Sequence, residues 1–266
     1  MTSTYPIEVR NVSISFGQKP VLSEISFQLG RGETLVLLGV TGSGKSVLLK
    51  LIAGLLKPDT GEILIEGQDL VPLSEPELYP FRKRMGIVFQ EGALFDSLSV
   101  YENVSYPLRE AGRKDEAAIE ESVREMLSFV EMEEAIGKMP AELSGGMRRR
   151  VSVARAIVNQ PCIMLYDSPT AGLDPVTANS INILIAKLRD IQHASSILVT
   201  QRVQDAFYLS NNVYSPETHT LVPANSNGHQ RPLTRFLVLR DTRAYFSGTR
   251  EDLVRVQDPY LVKFTS

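Results

Sequence analysis

Residues 39–46 read GVTGSGKS, which is Gly39, Val40, Thr41, Gly42, Ser43, Gly44, Lys45 and Ser46. The stretch fits the pattern G-x-x-x-x-G-K-[ST]. Phosphate binding by backbone needs N–H groups turned into a concave loop, and glycine permits both the dihedrals and the close approach. An apolar run at 33–38, with TLVLL at 34–38, precedes the loop, and 47–55 follows it with helical spacing. A continuous apolar run suits a central strand buried on both faces, so strand, glycine loop and helix predict the opening of an α/β unit. A helix starting near Lys45 would aim the positive end of its dipole at phosphates. Lys45 would neutralise charge on the β- and γ-phosphates, and the Ser46 hydroxyl would join a Mg²⁺ shell.

Two further motifs belong with this loop. Residues 163–167, IMLYD, form an apolar strand ending in Asp167, which places a carboxylate where it reaches the hydration shell of that Mg²⁺. Residues 143–147, LSGGM, are followed by Arg148, Arg149 and Arg150. Ser144, Gly145 and Gly146 at a helix start offer free N–H groups and a hydroxyl, an anion site with no lysine of its own. Standing alone, such a motif reads as a capped helix with a solvated arginine face. Between a phosphate loop and a strand-terminal Asp it reads instead as a second anion site.

Outward from these motifs, Ile7, Val9, Val12 and Ile14 are candidate inward residues of a first strand, and 21–29 reads as a second. Helical patterns dominate from 73 to 155, with Ile119, Val123, Met126, Leu127 and Val130 on one face of a helix over 115–130. An apolar run at 162–166, a helix over 177–190 and a buried strand at 196–200 (SILVT) follow. Residues 211–232 are rich in Asn, Ser, Pro, Thr and His with little periodicity, which predicts an exposed loop or insertion. Residues 236–239 and 244–246 read as a terminal hairpin, and 250–256 as a short helix.

Composition narrows the function classes. The chain has 266 residues, 43% hydrophobic and 22% charged, which excludes disorder, collagen and coiled coil as global readings. Lys and Arg number 28 against 31 Asp and Glu, so the net charge of -3 lacks the basic excess of a dedicated nucleic-acid binder. The single cysteine, Cys162, excludes an internal disulfide and a clustered cysteine metal site, fits a reducing compartment and reads as core before a buried strand. His193, His219 and His229 lack metal-ligand spacing and read as surface residues. No apolar run approaches the roughly 18–20 residues that span a bilayer, and the first ten residues lack a signal-peptide layout, so a soluble cytoplasmic protein is expected.

The motifs and their order resemble the ATP-binding cassette (ABC) ATPases over nearly the whole chain. That resemblance implies an α/β P-loop nucleotide-binding domain with a mixed-sheet core, an antiparallel β subdomain and an α-helical subdomain at about 91–160. A polar insertion would lie at about 211–235, and a hairpin and tail at 236–266. It implies that Phe16 stacks on adenine and that Gln90, in IVFQ at 87–90, contacts Mg²⁺ and the attacking water. Residues 143–147 match the family signature, and 172–174 (GLD), ending in Asp174, match the D-loop. In that family two domains face head to tail, and the phosphate loop of one with the signature of the other encloses each ATP. The stretch QEGALFDSLSVYENVSYPLRE at 90–110, with DPYLVKF at 258–264, narrows the resemblance to the ATPase subunit of Mla-type phospholipid transporters. The implied cofactors are ATP and Mg²⁺. The implied partners are a second ABC subunit in a homodimer, an integral membrane permease and an MCE-type lipid-binding protein, with no nucleic acid. The implied location is peripheral, on the cytoplasmic face of the inner membrane. Cassettes that act on nucleic acid or ribosomes without a permease commonly carry two cassettes or a long coiled-coil insertion, and this sequence shows neither.

Two positions depart from the family. Ser168, in YDSPT at 166–170, stands where most active cassettes carry a glutamate, and Gln201 stands where a switch histidine follows the SILVT strand. Serine does not accept a proton near neutral pH and glutamine carries no charge, and losing a general base costs about 10²–10⁴ in rate. Two readings stay open: a cassette that binds ATP and pairs with little or no hydrolysis, or one in which Gln90 and Gln201 orient the water. Asp174 is a further carboxylate near the interface.

Overall fold

The run TLVLLG at 34–39 is a strand buried at every position. Leu35 and Leu37 pack into one core, and Val36 and Leu38 into another on the opposite face, as a strand covered on both sides requires. The computed structural model containing it describes residues 5–224 and 231–264.

The described chain opens with β1 (Ile7–Phe16), β2 (Lys19–Leu29), β3 (Thr34–Gly39) and α1 (Lys45–Ile52). Next come β4 (Thr60–Ile65), β5 (Gln68–Asp69), α2 (Glu75–Arg82) and β6 (Met85–Val88). Three helices follow, α3 (Val100–Glu110), α4 (Glu116–Phe129) and α5 (Gly145–Ile157). Then β7 (Ile163–Asp167), α6 (Pro175–Gln192), β8 (Ser195–Val199) and α7 (Val203–Asn211) alternate. After them lie β9 (Asn212–Ser215), β10 (Thr220–Pro223), β11 (Thr234–Arg240), β12 (Arg243–Gly248), α8 (Arg250–Arg255) and α9 (Pro259–Val262).

The main sheet has the order β12-β11-β3-β8-β7-β6. It is parallel from β11 to β6 and mixed through the antiparallel β12. A separate antiparallel sheet runs β2-β1-β4-β5. Leu48, Leu51 and Ile52 of α1 lie between the two sheets, against Ile7, Val9 and Ile63 on one side and Leu37, Leu165 and Ile197 on the other. On the other face of the main sheet, Ile119, Val123, Met126, Leu127 and Val130 bury together with Val151, Met164 and Tyr166, so the predicted face of α4 is its buried one. Ser99 and Asp115 cap α3 and α4 by accepting from backbone N–H groups of their first turns.

Helices do dominate residues 73–155, with one strand among them that the periodicity does not announce: β6 pairs in parallel with β7, and its brevity leaves no period to read. Two expectations are corrected. The segment 211–232 is not a plain exposed loop. Its β9 and β10 form an antiparallel hairpin in which Val213, Tyr214 and Leu221 are buried. Arg189 of α6, itself buried, donates to the carbonyls of Leu209 and Asn212, and Asp190 accepts from the Tyr214 N–H at 2.7 Å. Residues 225–230, with His229, lie outside the described residues. Cys162 is exposed rather than core, because it precedes β7 at the sheet's end and lies against Arg84, its sulfur 3.7 Å from the Arg84 carbonyl. His193 and His219 are exposed as expected.

Candidate functional site

β3 delivers the chain at Gly39, and α1 takes it up at Lys45. A Cβ on Gly39 would lie 2.5 Å from Ser43 Oγ and 2.9 Å from the Leu239 carbonyl, so only glycine fits there. Gly44 caps α1 in the left-handed region at φ 95° with no side-chain cap, and the first-turn N–H groups of α1 therefore face the loop without a side-chain acceptor. Lys45 is buried and turns back over the loop, donating from Nζ to the carbonyls of Gly39 at 2.8 Å and Val40 at 2.9 Å. Burial holds its ammonium below the usual lysine range, and the Asp167 carboxylate opposes that shift. Ser46 Oγ donates to Asp167 Oδ1 at 3.1 Å. The structure thus brings Gly39, Val40, Ser43, Gly44, Lys45, Ser46 and Asp167 together from two strands and one helix. Phe16 ends β1 with 53% of its surface exposed.

A second group of predicted residues lines a cleft of about 610 Å³, with Gln90, Glu91, Gly145, Arg149 and Gly172 among its walls. Ser144 caps α5 with its hydroxyl, accepting from the Met147 N–H at 3.2 Å. The arginines after it are anchored rather than a solvated face. Arg148 donates to the Leu143 carbonyl, and Arg150 to the Val130 carbonyl and Glu131. Arg149 is buried and donates to the Phe89 carbonyl at 2.8 Å. Burial lowers the Arg149 pKa, and Glu91 opposes the shift. With Arg155, which donates to the Gly92 carbonyl at 3.0 Å, α5 fixes both ends of the short segment carrying Gln90. The RRR run held that signal, but its sequence did not say which arginine turns inward.

The family model described as ABC transporter matches residues 22–171. The chain belongs to the ABC transporter family. It is an ATP-binding subunit of such a transporter. Among curated relatives, the intermembrane phospholipid transport system ATP-binding protein MlaF of Haemophilus influenzae is 36% identical over 258 residues, 97% of this chain and 89% of that protein. The probable ribonucleotide transport ATP-binding protein mkl of Mycobacterium leprae is 42% identical over 207 residues, 78% of this chain and 60% of that protein. Among solved structures, the dimeric post-hydrolysis state of the ATP-binding cassette MJ0796 bound to ADP and Pi matches with a TM-score of 0.77 at 28% identity, over 91% of this chain and 98% of that one.

In this ABC subunit the departing residues sit at the ends of neighbouring strands. Ser168 is buried, holds a left-handed φ of 51°, and donates its N–H to the Val199 carbonyl at 2.9 Å. Its hydroxyl lies 3.4 Å from Asp167 Oδ1, the oxygen that also accepts from Ser46. Gln201 is exposed just beyond β8. Asp174, exposed at the start of α6, accepts from the N–H groups of Val176 and Thr177, each at 3.0 Å. The Thr177 hydroxyl and these N–H groups hold its carboxyl below the usual carboxylate range. Its carboxylate therefore serves as a helix cap in this conformation. Sequence reading passed over Thr170, Arg202 and Asp205, whose contacts link the loops after β7 and β8 across some thirty positions.

Proposed function

We propose that this chain binds ATP with Mg²⁺ and hydrolyses it within a head-to-tail pair of copies. The pair would drive an integral membrane permease that moves phospholipid between membranes with an MCE-type lipid-binding protein. The observation that carries the reading is the Ser46–Asp167 contact of 3.1 Å beside a helix start that has no side-chain cap and holds Lys45. Gly39, Val40, Thr41, Gly42, Ser43 and Gly44 would wrap the phosphates with backbone N–H groups, and Lys45 would exchange its carbonyl partners for phosphate oxygens. Phe16 offers an exposed ring to the adenine. Ser144, Gly145 and Gly146 would meet the phosphates held by the partner copy, with Asp174 alongside.

The site residues fit a hard divalent cation. Among the described residues no cluster of three His, Cys, Asp or Glu could enclose a metal, whereas the paired oxygens of Ser46 and Asp167 suit an ion that keeps water and phosphate ligands. Ser46, Asp167 and Gln90 would hold it, and Mg²⁺ bound there supplies charge neutralisation to the phosphates. For hydrolysis, Gln90 and Gln201 would orient the water by hydrogen bonds, and Ser168 would stay a spectator beside Asp167.

The phospholipid assignment is supported by 36% identity across 97% of the chain to a protein named for that transport. Attachment through the permease would make the subunit peripheral on the cytoplasmic face of the inner membrane; among the described residues no helix is long and apolar enough to cross one. The test is the purified complex in vesicles. ATP-dependent movement of labelled phospholipid, with a permease that co-purifies from detergent extracts, is expected, and the lack of both overturns the proposal. A second reading is favoured by Ser168, buried at the position of the family's glutamate: a cassette that binds ATP as a regulatory or partner subunit without hydrolysing it. Phosphate release by the same complex separates the two.

A further inference from the structure

The loops that follow β7 and β8 carry Ser168 and Gln201, and a polar chain joins them that is buried except at the Arg202 side chain, which is 33% exposed. Thr170 Oγ1 donates to Asp205 Oδ2 at 2.7 Å, and Arg202 Nε pairs with the same oxygen at 3.4 Å. Arg202 closes both ends of the chain. Its N–H donates to Thr200 Oγ1 at 3.0 Å, and its Nη1 to the Leu173 carbonyl at 3.5 Å. Thr170 is 2% exposed, Thr200 3% and Asp205 8%.

An acidic residue in the first turn of a helix ordinarily complements the helix dipole. Asp205 occupies that place in α7, yet its carboxylate is turned onto a threonine 35 positions earlier. Buried charge is costly unless paired and hydrogen-bonded, and a fully satisfied polar network specifies one arrangement of the segments it joins. The segments joined here hold the two positions that depart from the family and the turn leading to Asp174.

We propose that Asp205 is a positioning residue for ATP turnover: through Thr170 and Arg202 it locks the Gln201 turn to the loop running from Ser168 to Leu173, so that the two move as one unit. The inference rests on the hydrolysing reading of the site. Asp205 touches neither nucleotide nor water in this account; it acts by fixing where Gln201 stands.

The test uses the full transporter complex with Thr170→Val, Thr170→Ser, Asp205→Ala and the wild type. Thr170→Val keeps the shape of the side chain and exchanges its hydroxyl for a methyl, so it is the variant that guards against a misfolded Asp205→Ala. Misplacing a group that orients a reactant costs up to about 10²-fold in rate. Thr170→Val and Asp205→Ala are therefore expected to lower kcat by roughly 10- to 10²-fold, with the KM for ATP unchanged within about twofold. Thr170→Ser, which keeps the hydroxyl, is expected to restore kcat. Amide hydrogen exchange on the same samples is expected to rise together at 170–173 and 200–204 in Thr170→Val. Wild-type turnover that Thr170→Val leaves intact overturns the inference while the hydrolysing reading stands. A wild type with no turnover at all overturns that reading instead. Exchange at 200–204 that Thr170→Val does not change overturns the coupling in either case.

Discussion

Two helices of this molecule begin beside glycines, and they treat their free N–H groups in opposite ways. α1 starts at Gly44 with no side-chain cap and keeps a buried lysine folded over the loop. α5 starts at Ser144, whose own hydroxyl accepts from the Met147 N–H, with no acidic residue in its first turn and its arginines tied to nearby carbonyls. In the proposed site the first would take an anion once Lys45 exchanges its carbonyl partners, whereas the second is capped at rest by Ser144 and brings no lysine of its own. That asymmetry fits the composite site proposed between copies.

The comparison breaks most sharply at Lys45. Hydrogen bonds to charged groups are worth about 1.5–3 kcal/mol each, so Lys45→Ala is expected to weaken ATP binding by about 10²-fold or more, measured by titration calorimetry with Mg²⁺; unchanged affinity would show that the α1 start needs no cation. Gly145→Asp is the matching test on α5. A Cβ at Gly145 meets only Leu173 Cδ2, at 3.7 Å, so the chain should fold and bind ATP as a monomer while ATP-driven dimers disappear in light scattering. Gly146 is unsuitable for this purpose, because a Cβ there would lie 2.3 Å from Thr177 Cγ2.

A third experiment sharpens what closure achieves. Ser168→Glu is expected to raise phosphate release by less than about 10²-fold, since Gln201 still carries no charge, and the double variant with Gln201→His should exceed either single change. Turnover that is undetectable in the wild type and appears with Ser168→Glu would favour the non-hydrolysing reading. If Gln90 and Gln201 already place the water, Gln201→Ala will cost more than Ser168→Ala. The smallest effect belongs to the α5 cap: Ser144→Ala is expected to remove about 1 kcal/mol, read as a fall in melting temperature of roughly 2–4 °C.

The strand, loop and helix around Lys45 were legible because their signals are local: an apolar run, glycines at fixed offsets and helical spacing. Asp167 was legible for the same reason. β6 was not, since four residues hold too little period, and its strand character comes from pairing with β7. The β9–β10 hairpin was hidden because its stability comes from outside it, through Arg189 and Asp190 of α6. Asp174 was readable as an acidic residue before a helix, but not whether its carboxylate was free. The Thr170–Asp205 link has no signal along the chain at all; only folding brings the ends of β7 and β8 side by side.

The position of β3 sets the order in which the protein can be made. Its neighbours in the sheet are β8 and β11, with Thr34 opposite Ser196 on one edge and Thr234 on the other. Both partners leave the ribosome well over a hundred residues after the phosphate loop. During synthesis, therefore, a strand of six buried residues waits with two open edges, the arrangement most prone to pairing with the wrong chain. The surroundings of the phosphate loop are complete only when β11 has docked and the Leu239 carbonyl lies beside Gly39.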